Sequence, residues 1–170
     1  IIKPNIGIIT HIGHSHLEGL NSVKGVLKVK SELINNIKTS GSAIVPDGKY
    51  VNYWKKMRND ITFHTFGLKP SASFFPTQIN MTKEGLSFFI ESIHLKKRVQ
   101  IKTKLIGMHN VLNILASFAA IYAARLNTKD FTDGMRKLKN SPQRLDLKLW
   151  VKQSTVIDDS YNANPDSMRA

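Results

Sequence analysis

The chain has 170 residues, of which 41% are hydrophobic, and its 25 lysines and arginines outnumber its 12 acidic residues to give a formal net charge of +13. This length suits a single ordinary domain with a buried core, and the apolar fraction is too high for a disordered chain. Because the chain has no cysteine, a disulfide framework, a thiolate metal site and a cysteine nucleophile are all excluded.

The sequence carries no membrane or export signal that we can identify. The longest apolar run, over residues 111–124, is too short to span a bilayer and is interrupted by Asn113 and Ser117. No charged and then apolar leader precedes the first core-like segment, so we expect no signal peptide. We therefore expect a cytoplasmic protein without a membrane partner.

The excess of basic residues allows two interpretations. A nucleic-acid groove would interleave aromatic residues with the positive charge. The densest basic run is Lys96-Lys97-Arg98, whereas the aromatic residues cluster around positions 50–54 and 63–75. We therefore favour solvated basic faces that attract an anionic substrate, and we expect no nucleic-acid partner.

The first part of the chain has the pattern of a parallel α/β unit. Ile6–Thr10 is a short β-rich run, and residues 10–19 form a loop rich in glycine, serine and histidine. A helical period covers Ser22–Ile37, and Ser42–Val45 is a second apolar strand. The apolar stripe of the helix contains Val23, Leu27, Ile34 and Ile37. A strand, a helix and a strand in this order predict a parallel sheet with a crossover helix.

Residues Ile61 to Lys104 predict an antiparallel insert. Ser73–Asn80 and Gly85–Ser92 flank a tight turn in the manner of a hairpin, and Arg98–Lys104 alternates polar and apolar residues. The fold class that follows is α/β, with a mostly parallel sheet flanked by helices and a small antiparallel β insert.

Two helices and two strands are predicted after the insert. The nearly continuous apolar run Val111–Leu126 predicts a helix that is buried all round. Asp130–Leu138 predicts a shorter helix. Leu145–Lys152 and Ser154–Asp158 predict a final pair of strands.

Lys30 is an unusual residue because it falls on the apolar stripe of the first helix, at the centre of the face that should be buried. Burial disfavours an ammonium group and lowers the pKa of a lysine. A neutral buried amine is a nucleophile, and it can also react with carbon dioxide to give an anionic carbamate that faces a metal. The alternative is a lysine whose stem covers apolar surface while its amine reaches solvent.

Three histidines lie in the loop that follows the first strand: His11, His14 and His16. Ligands gather beyond the carboxyl ends of parallel strands, which is where this loop is predicted to lie. Three imidazoles could bind zinc, but this spacing is not that of a helical zinc motif. They can also act as ordinary hydrogen-bonding groups.

Two further segments combine residues that could hold a nucleotide or a metal. Residues 107–113 (GMHNVLN) open the predicted buried helix, where asparagine could also act as a simple helix cap. Residues 157–165 (IDDSYNANP) end a predicted strand in paired acids and amides, which a plain turn would also use.

Taken together and in this order, the segments resemble the Mur ligase family, the ATP-dependent amide-forming enzymes of peptidoglycan synthesis. Residues 10–19 (THIGHSHLEG) are similar to the family's T-N-I-G-x-A-H-L-E-G, and residues 28–32 (KVKSE) to its A-K-x-E. Residues 107–113 match G-x-H-N-x-x-N, and residues 158–168 (DDSYNANPDSM) match the D-D-S-Y-N-A-N-P-D-S-M signature of one member. The departures are His11 for the usual asparagine, His14 where proline is common, and Pro46 for asparagine.

The resemblance implies a fold and a division into domains. The fold is the P-loop-type central domain of a Mur ligase. Residues 1–142 would be a partial ATP-binding domain, and residues 143–170 the junction and the start of a C-terminal domain. The resemblance also implies a protein that acts as a monomer.

The resemblance further implies a role for each matching residue. Lys30 corresponds to a carbamylated lysine that helps to hold magnesium, and His16 to a histidine near a second magnesium; both are our candidate catalytic and metal residues. His109 and Asn110 fall where adenine is held, and Asp159 where the ribose is held. The remaining candidates for binding ATP are Asn113, Arg144, Tyr161, Asn162 and Asn164.

The implied reaction joins D-alanyl-D-alanine to a UDP-MurNAc-tripeptide through an acyl phosphate, with ATP and Mg²⁺. Because the phosphate-cradling motif G-x-x-x-x-G-K-[ST] does not occur in the sequence, we expect this chain alone to be inactive. Two alternatives remain open. One is another Mur or folylpolyglutamate-type ligase, and the other is a non-catalytic module that binds anions or nucleic acid on a degenerate ligase core.

Overall fold

A computed structural model describes residues 2–13, 22–138, 141, 143, 146–151 and 154–161 of the chain. A parallel sheet of three strands forms its first part, in the order β1 (Ile6–Ile8), β2 (Ser42–Pro46) and β3 (Thr62–Phe66). The connection from β1 to β2 contains helix α1 (Val23–Asn36), and the connection from β2 to β3 contains α2 (Val51–Met57). The predicted parallel unit is confirmed.

The central strand β2 separates two apolar cores because its side chains alternate between the two faces of the sheet. Ala43 and Val45 are buried in the core that includes α1 and α2. Ile44 is buried in the other core, together with Phe66 and Phe74. Ala43, Ile44 and Val45, the three central residues of β2, are fully buried, as expected for a strand covered on both faces.

Helix α1 begins at a serine cap, because the Ser22 side chain accepts a hydrogen bond from the backbone N–H of Gly25 at 3.1 Å. Its buried residues are Val26, Ser31 and Ile34, and Lys30 is only half-buried. The prediction that Lys30 lies at the centre of the buried face is therefore wrong. The helix packs against both the sheet and α2, and this second contact moves the buried face toward Ser31.

The antiparallel insert is a sheet of three strands, β4 (Phe75–Thr82), β5 (Gly85–Glu91) and β6 (Val99–Thr103), in that order. The predicted hairpin and third strand are confirmed. The predicted start of the insert at Ile61 is wrong, because β3 pairs in parallel with β2. The insert begins only after β3, and its inner face is apolar.

Helix α3 (Met108–Ala123) shares one core with the parallel sheet and the antiparallel sheet. Its buried residues include Val111, Leu115 and Phe118. Asn113 and Ser117 are exposed, so the helix is not buried all round as predicted. These two polar residues are four apart and mark one solvent-facing stripe. Helix α4 (Thr128–Lys137) follows and packs against β6.

The last described element is a hairpin of β7 (Asp146–Leu149) and β8 (Thr155–Asp158), which confirms the predicted final strands. The domain boundary near residue 142 remains a prediction. No helix in the described ranges is long and apolar enough to cross a membrane.

Candidate functional site

The carboxyl ends of β1, β2 and β3 meet at one edge of the parallel sheet, which we call the carboxyl edge. Open parallel sheets bind ligands at this edge, because the loops that leave the strands there can diverge around a ligand. The residues that follow the three strands are Ile9–Gly13, Asp47 and Gly67. These loop residues and the helices that face them form the candidate site.

Lys30 reaches the carboxyl edge from the middle of α1. Its Nζ donates a hydrogen bond of 2.7 Å to the backbone carbonyl oxygen of His11, in the loop after β1. This is the only hydrogen bond that Lys30 makes within the described part of the chain. Lys30 is half-buried, and its amine lies at the strand end. This arrangement agrees with the alternative from the sequence, a lysine whose stem covers apolar surface while its amine stays accessible.

Asp47 brings the loop after β2 next to the loop after β3. Its backbone N–H donates to the carbonyl oxygen of Phe66 at 2.8 Å, and its side-chain Oδ2 accepts from the Ser71 hydroxyl at 2.6 Å. Gly67 allows this close approach, because a Cβ atom at that position would lie 3.2 Å from the Cβ of Asp47. Asp47 is exposed at the same edge as the Lys30 amine.

The first turn of α3 lies away from the amino ends of β2 and β3. The other end of this helix, at Tyr122, lies beside Ser42 and Thr62, which are the first residues of β2 and β3. A helix of 16 residues is about 24 Å long, so its first turn is well separated from these strand starts. We infer that His109, Asn110 and the exposed Asn113 lie on the side of the carboxyl edge.

Asparagine does not cap α3, although the sequence allowed it to. Gly107 occupies the cap position and makes no side-chain cap. The Asn110 side chain instead donates to the Ile106 carbonyl oxygen at 2.7 Å, and Asn113 donates to Asn110 Oδ1 at 3.5 Å. His109 is exposed, and its imidazole has no hydrogen bond to any described residue, so it is open to a ligand.

Asp159 and Tyr161 lie in the turn that follows β8. This turn is held by Asp158, whose carboxylate accepts from Lys148 Nζ at 2.7 Å and from the Ser160 hydroxyl at 2.7 Å. These contacts lower the pKa of Asp158, with the hydrogen bond from Lys148 as the main cause. The Tyr161 N–H donates to the Gln143 carbonyl oxygen at 3.2 Å.

The structure therefore groups the candidate residues in two places. Lys30 and the His109–Asn113 segment belong to the carboxyl edge, and Asp159 and Tyr161 belong to the β7–β8 hairpin. Within the described ranges no hydrogen bond joins the second group to Lys30, His109 or Asn110. The candidates His14, His16, Arg144, Asn162 and Asn164 lie outside the described residues.

A metal ion at the carboxyl edge would need ligands beyond those described. No group of three histidine, aspartate or glutamate side chains in the described ranges could hold a metal ion. His11 alone of the three loop histidines is described, and the zinc hypothesis for that loop stays untested. The amine of Lys30 donates a hydrogen bond to the His11 carbonyl oxygen, and it would need a free lone pair or an added acidic group to act as a ligand.

Sequence reasoning missed two residues that shape this region. Ser31 is buried beneath Lys30, where its hydroxyl accepts from the indole N–H of Trp54 at 2.8 Å. Arg58 donates to the carbonyl oxygens of Ile34, Asn35 and Ile37 at the end of α1. The only signal for Ser31 is its place next to Lys30, because a serine in a helix is otherwise expected on the surface.

The fold and the site define a class of α/β protein with a parallel sheet, in which Lys30 lies at the carboxyl edge of the sheet. Residues 1–121 match the family model of the Mur ligase middle domain. The chain therefore belongs to the Mur ligase family, whose members are ATP-dependent amide ligases.

Two bacterial relatives match the chain along nearly its whole length. It is 32% identical to the UDP-N-acetylmuramoyl-tripeptide--D-alanyl-D-alanine ligase of Buchnera aphidicola subsp. Baizongia pistaciae, over 99% of this chain and 36% of the relative. It is 30% identical to the enzyme of the same name from Bacillus subtilis, over 100% of this chain and 36% of the relative. The chain thus spans about a third of the length of these relatives.

A solved structure has the same fold. The crystal structure of MurF from Acinetobacter baumannii superposes with a TM-score of 0.89 at 27% identity, over 99% of this chain and 36% of that one. The likeness includes both the parallel sheet and the antiparallel insert, because nearly the whole chain is covered.

Proposed function

We propose that this chain is part of a ligase that joins D-alanyl-D-alanine to a UDP-MurNAc-tripeptide with ATP, in the synthesis of peptidoglycan precursors. The observation that carries the proposal is the similarity to a UDP-N-acetylmuramoyl-tripeptide--D-alanyl-D-alanine ligase along 99% of the chain. This similarity extends beyond the residues that match the middle domain and includes the β7–β8 hairpin. The sequence DDSYNANPDSM at residues 158–168 supports this member of the family over the others.

The chemistry requires strong positive charge at the site. In the proposed reaction the terminal carboxylate of the tripeptide attacks the γ-phosphate of ATP and forms an acyl phosphate with release of ADP. The amine of the dipeptide then attacks the acyl carbon, phosphate leaves, and an amide bond remains. Carboxylate and polyphosphate repel each other, so cationic groups are needed to bring them together. The net charge of +13 fits this need.

Lys30 is our candidate for a metal-holding group. Its amine lies at the strand end with a single hydrogen bond, so carbon dioxide can reach it once the amine has lost its proton. Addition of carbon dioxide to the neutral amine gives a carbamate and releases one proton, and the cation becomes an anion. The carbamate and His16 would then hold Mg²⁺, which would neutralise charge on the phosphates when bound.

The nucleotide would be shared between the two groups of residues. His109 and Asn110 in the first turn of α3 are proposed to hold adenine, where the exposed imidazole of His109 can stack on the base. Asp159 is proposed to hold the ribose, with Asn113, Arg144, Tyr161, Asn162 and Asn164 as further contacts.

The proposal is tested on the complete polypeptide that contains this chain. It is supplied with Mg²⁺-ATP and UDP-MurNAc-tripeptide, and phosphate release is followed with and without D-alanyl-D-alanine. We expect phosphate release that depends on the dipeptide, with a product whose mass has increased by one dipeptide residue. The 170-residue chain alone is the control, and we expect no release from it because its sequence lacks the phosphate-cradling motif.

The same assay separates the alternatives. Release with UDP-N-acetylmuramate and L-alanine, or with a folate and glutamate, but not with the dipeptide, would assign the chain to another ligase of the superfamily. No release from a folded protein, together with oligonucleotide binding that weakens steeply with salt, would favour the non-catalytic module. Either result would overturn the proposal.

A further inference from the structure

A cavity lies at the opposite edge of the parallel sheet, where β2 and β3 begin. Its volume is about 550 Å³, which is within the range of pockets for small molecules. The floor contains Ser42 and Thr62, the first residues of the two strands, and the roof contains Tyr122 and Arg125 at the end of α3. We call this cavity the amino-edge pocket. It is at the other end of the sheet from Lys30 and His11.

One wall of the pocket contains a buried histidine with an unused nitrogen. His64 in β3 is only 8% exposed, and its Nδ1 is the one buried side-chain nitrogen or oxygen without a hydrogen bond among the described residues. Its ring packs against Tyr122 at 5.7 Å and His94 at 6.0 Å between centroids. Burial, and secondarily the nearby His94, lowers the pKa of His64. A buried polar atom without a partner is costly, and a ligand would remove that cost.

The other polar groups of the pocket are also free to bind a ligand. Hydroxyl groups line it on several sides, and none of them makes a side-chain hydrogen bond to a described residue. They belong to Ser40, Ser42, Thr62, Tyr122 and Thr128.

The pocket contains one basic side chain, Arg125, which makes no ion pair within the described part of the chain. Asp60 contacts the pocket residue Ser40 only through its backbone oxygen, which accepts from the Ser40 N–H, and its carboxylate is already bound by Arg58 and Thr39. Thr128 is the first residue of α4, so the positive end of that helix dipole also lies at the rim, although Asp130 in the first turn opposes it.

We propose that the amino-edge pocket binds the phosphate group of a small phosphate monoester. A guanidinium with several hydroxyl donors suits the three terminal oxygens of a phosphate, whereas a carboxylate has only two oxygens to share. The imidazole of His64 adds a polar group that can donate when its Nδ1 carries the ring proton. The ring of Tyr122 and the side chain of Leu126 provide an apolar wall for the organic part.

The test uses phenyl phosphate as the probe and the complete polypeptide as the protein. Calorimetric titrations are done with saturating ADP, so that phosphate sites at the carboxyl edge are occupied. We expect binding that weakens about tenfold or more in Arg125→Ala, because a charge-assisted hydrogen bond is lost. His64→Phe keeps the aromatic packing and removes both nitrogens, and we expect it also to weaken binding. Ser42→Ala provides a third variant if His64→Phe does not fold.

Arg136→Ala is the matched control. Arg136 is an exposed arginine on the neighbouring helix that pairs with Asp133 at 3.5 Å and does not line the pocket. Its removal should leave the affinity unchanged. No binding of phenyl phosphate, or equal binding in Arg125→Ala and the unaltered protein, would overturn the proposal. Benzoate that binds as tightly as phenyl phosphate would overturn the assignment to phosphate. The result is independent of the ligase activity.

Discussion

Ser31 is a polar residue at the centre of a buried helix face, and its hydroxyl is fully used. It is 2% exposed, it donates to the carbonyl oxygen of Leu27 at 2.6 Å, and it accepts from the indole N–H of Trp54 at 2.8 Å. Trp54 is itself fully buried, so its N–H has no access to water. Ser31 therefore joins α1 to α2 directly beneath Lys30.

Ser31→Ala should destabilise the fold by about 1–3 kcal/mol, because the buried indole N–H would lose its partner. Urea unfolding measures this free energy. Ser117→Ala is the control: Ser117 makes the same bond to the carbonyl oxygen four residues earlier, at 2.8 Å, but is exposed. We expect a change within about 0.5 kcal/mol there. Equal effects of the two substitutions would show that the Trp54 contact contributes nothing.

At the residue scale, the sequence predicts that Lys30 is unusual, but it does not predict which residues are buried next to it. The apolar stripe that includes Val23 and Leu27 exists, yet these residues lie at the margin of the buried face. The centre is fixed by Trp54, which is 23 residues away from Ser31 in the sequence. A helical period reports which residues share a face, and only the tertiary contact decides which part of that face is most buried.

At the scale of elements, Arg58 holds the end of α1. Its guanidinium donates to the carbonyl oxygens of Ile34, Asn35 and Ile37 at 2.8–3.2 Å. The last carbonyl groups of a helix have no N–H partner four residues further on, so Arg58 supplies donors at this helix end. Asp60 orients the guanidinium through an ion pair of 2.6 Å. The hydrogen bond from Arg58 is the main reason that the pKa of Asp60 is lowered to about 2.

This pair predicts a pH dependence of stability. The pKa of Asp60 is about 2 in the folded protein against 3.8 for the ordinary side chain, so its contribution is present above pH 4 and is lost as the pH falls from about 4 to 2. In Asp60→Asn this part of the acid-induced loss should be absent. Chemical unfolding at a series of pH values compares the two proteins. Parallel curves between pH 4 and pH 2 would contradict the role of Asp60.

The hairpin of the insert depends on Gly85 at the start of β5. Its φ is +144°, and a Cβ atom there would collide with the carbonyl oxygen of Thr103 and lie 2.9 Å from the Cα of Lys104. Gly85→Ala should therefore cost roughly 2–4 kcal/mol of stability, measured by urea unfolding. Gly134→Ala is the matched control in α4, where a Cβ meets nothing within 4 Å, and should stabilise by about 0.5–1 kcal/mol. Tolerance of Gly85→Ala would contradict the observed strand packing.

The sequence largely predicts the helices and strands, but it predicts less well which strands pair with each other. The period of α1 and the turn of the insert are local signals, and both were confirmed. The strand β3 was wrongly placed in the insert because a run of five residues does not specify a neighbouring strand. Its pairing with β2, with His64 opposite Ile44, depends on the crossover through α2.

At the scale of the whole molecule, the sequence predicts functional residues at one edge of the parallel sheet but not at the other. The carboxyl edge was found through contiguous motifs, such as residues 107–113, because the groups of each motif lie on one turn. The amino-edge pocket combines Ser40, Thr62 and Arg125 from three distant segments, and no local pattern marks it. The expected roles of the site residues come from the family resemblance, because the spacing of the residues alone does not assign them.

The most direct test of the proposed role of Lys30 is the ligation rate of the complete protein with Lys30→Ala, compared with Lys28→Ala. Lys28 is an exposed lysine on the same helix, and its loss should leave the rate nearly unchanged. We expect Lys30→Ala to abolish ligation, and a short-chain carboxylate to restore part of it by filling the space of the carbamate. Full activity of Lys30→Ala without added acid would contradict the assignment of the carboxyl edge as the catalytic edge.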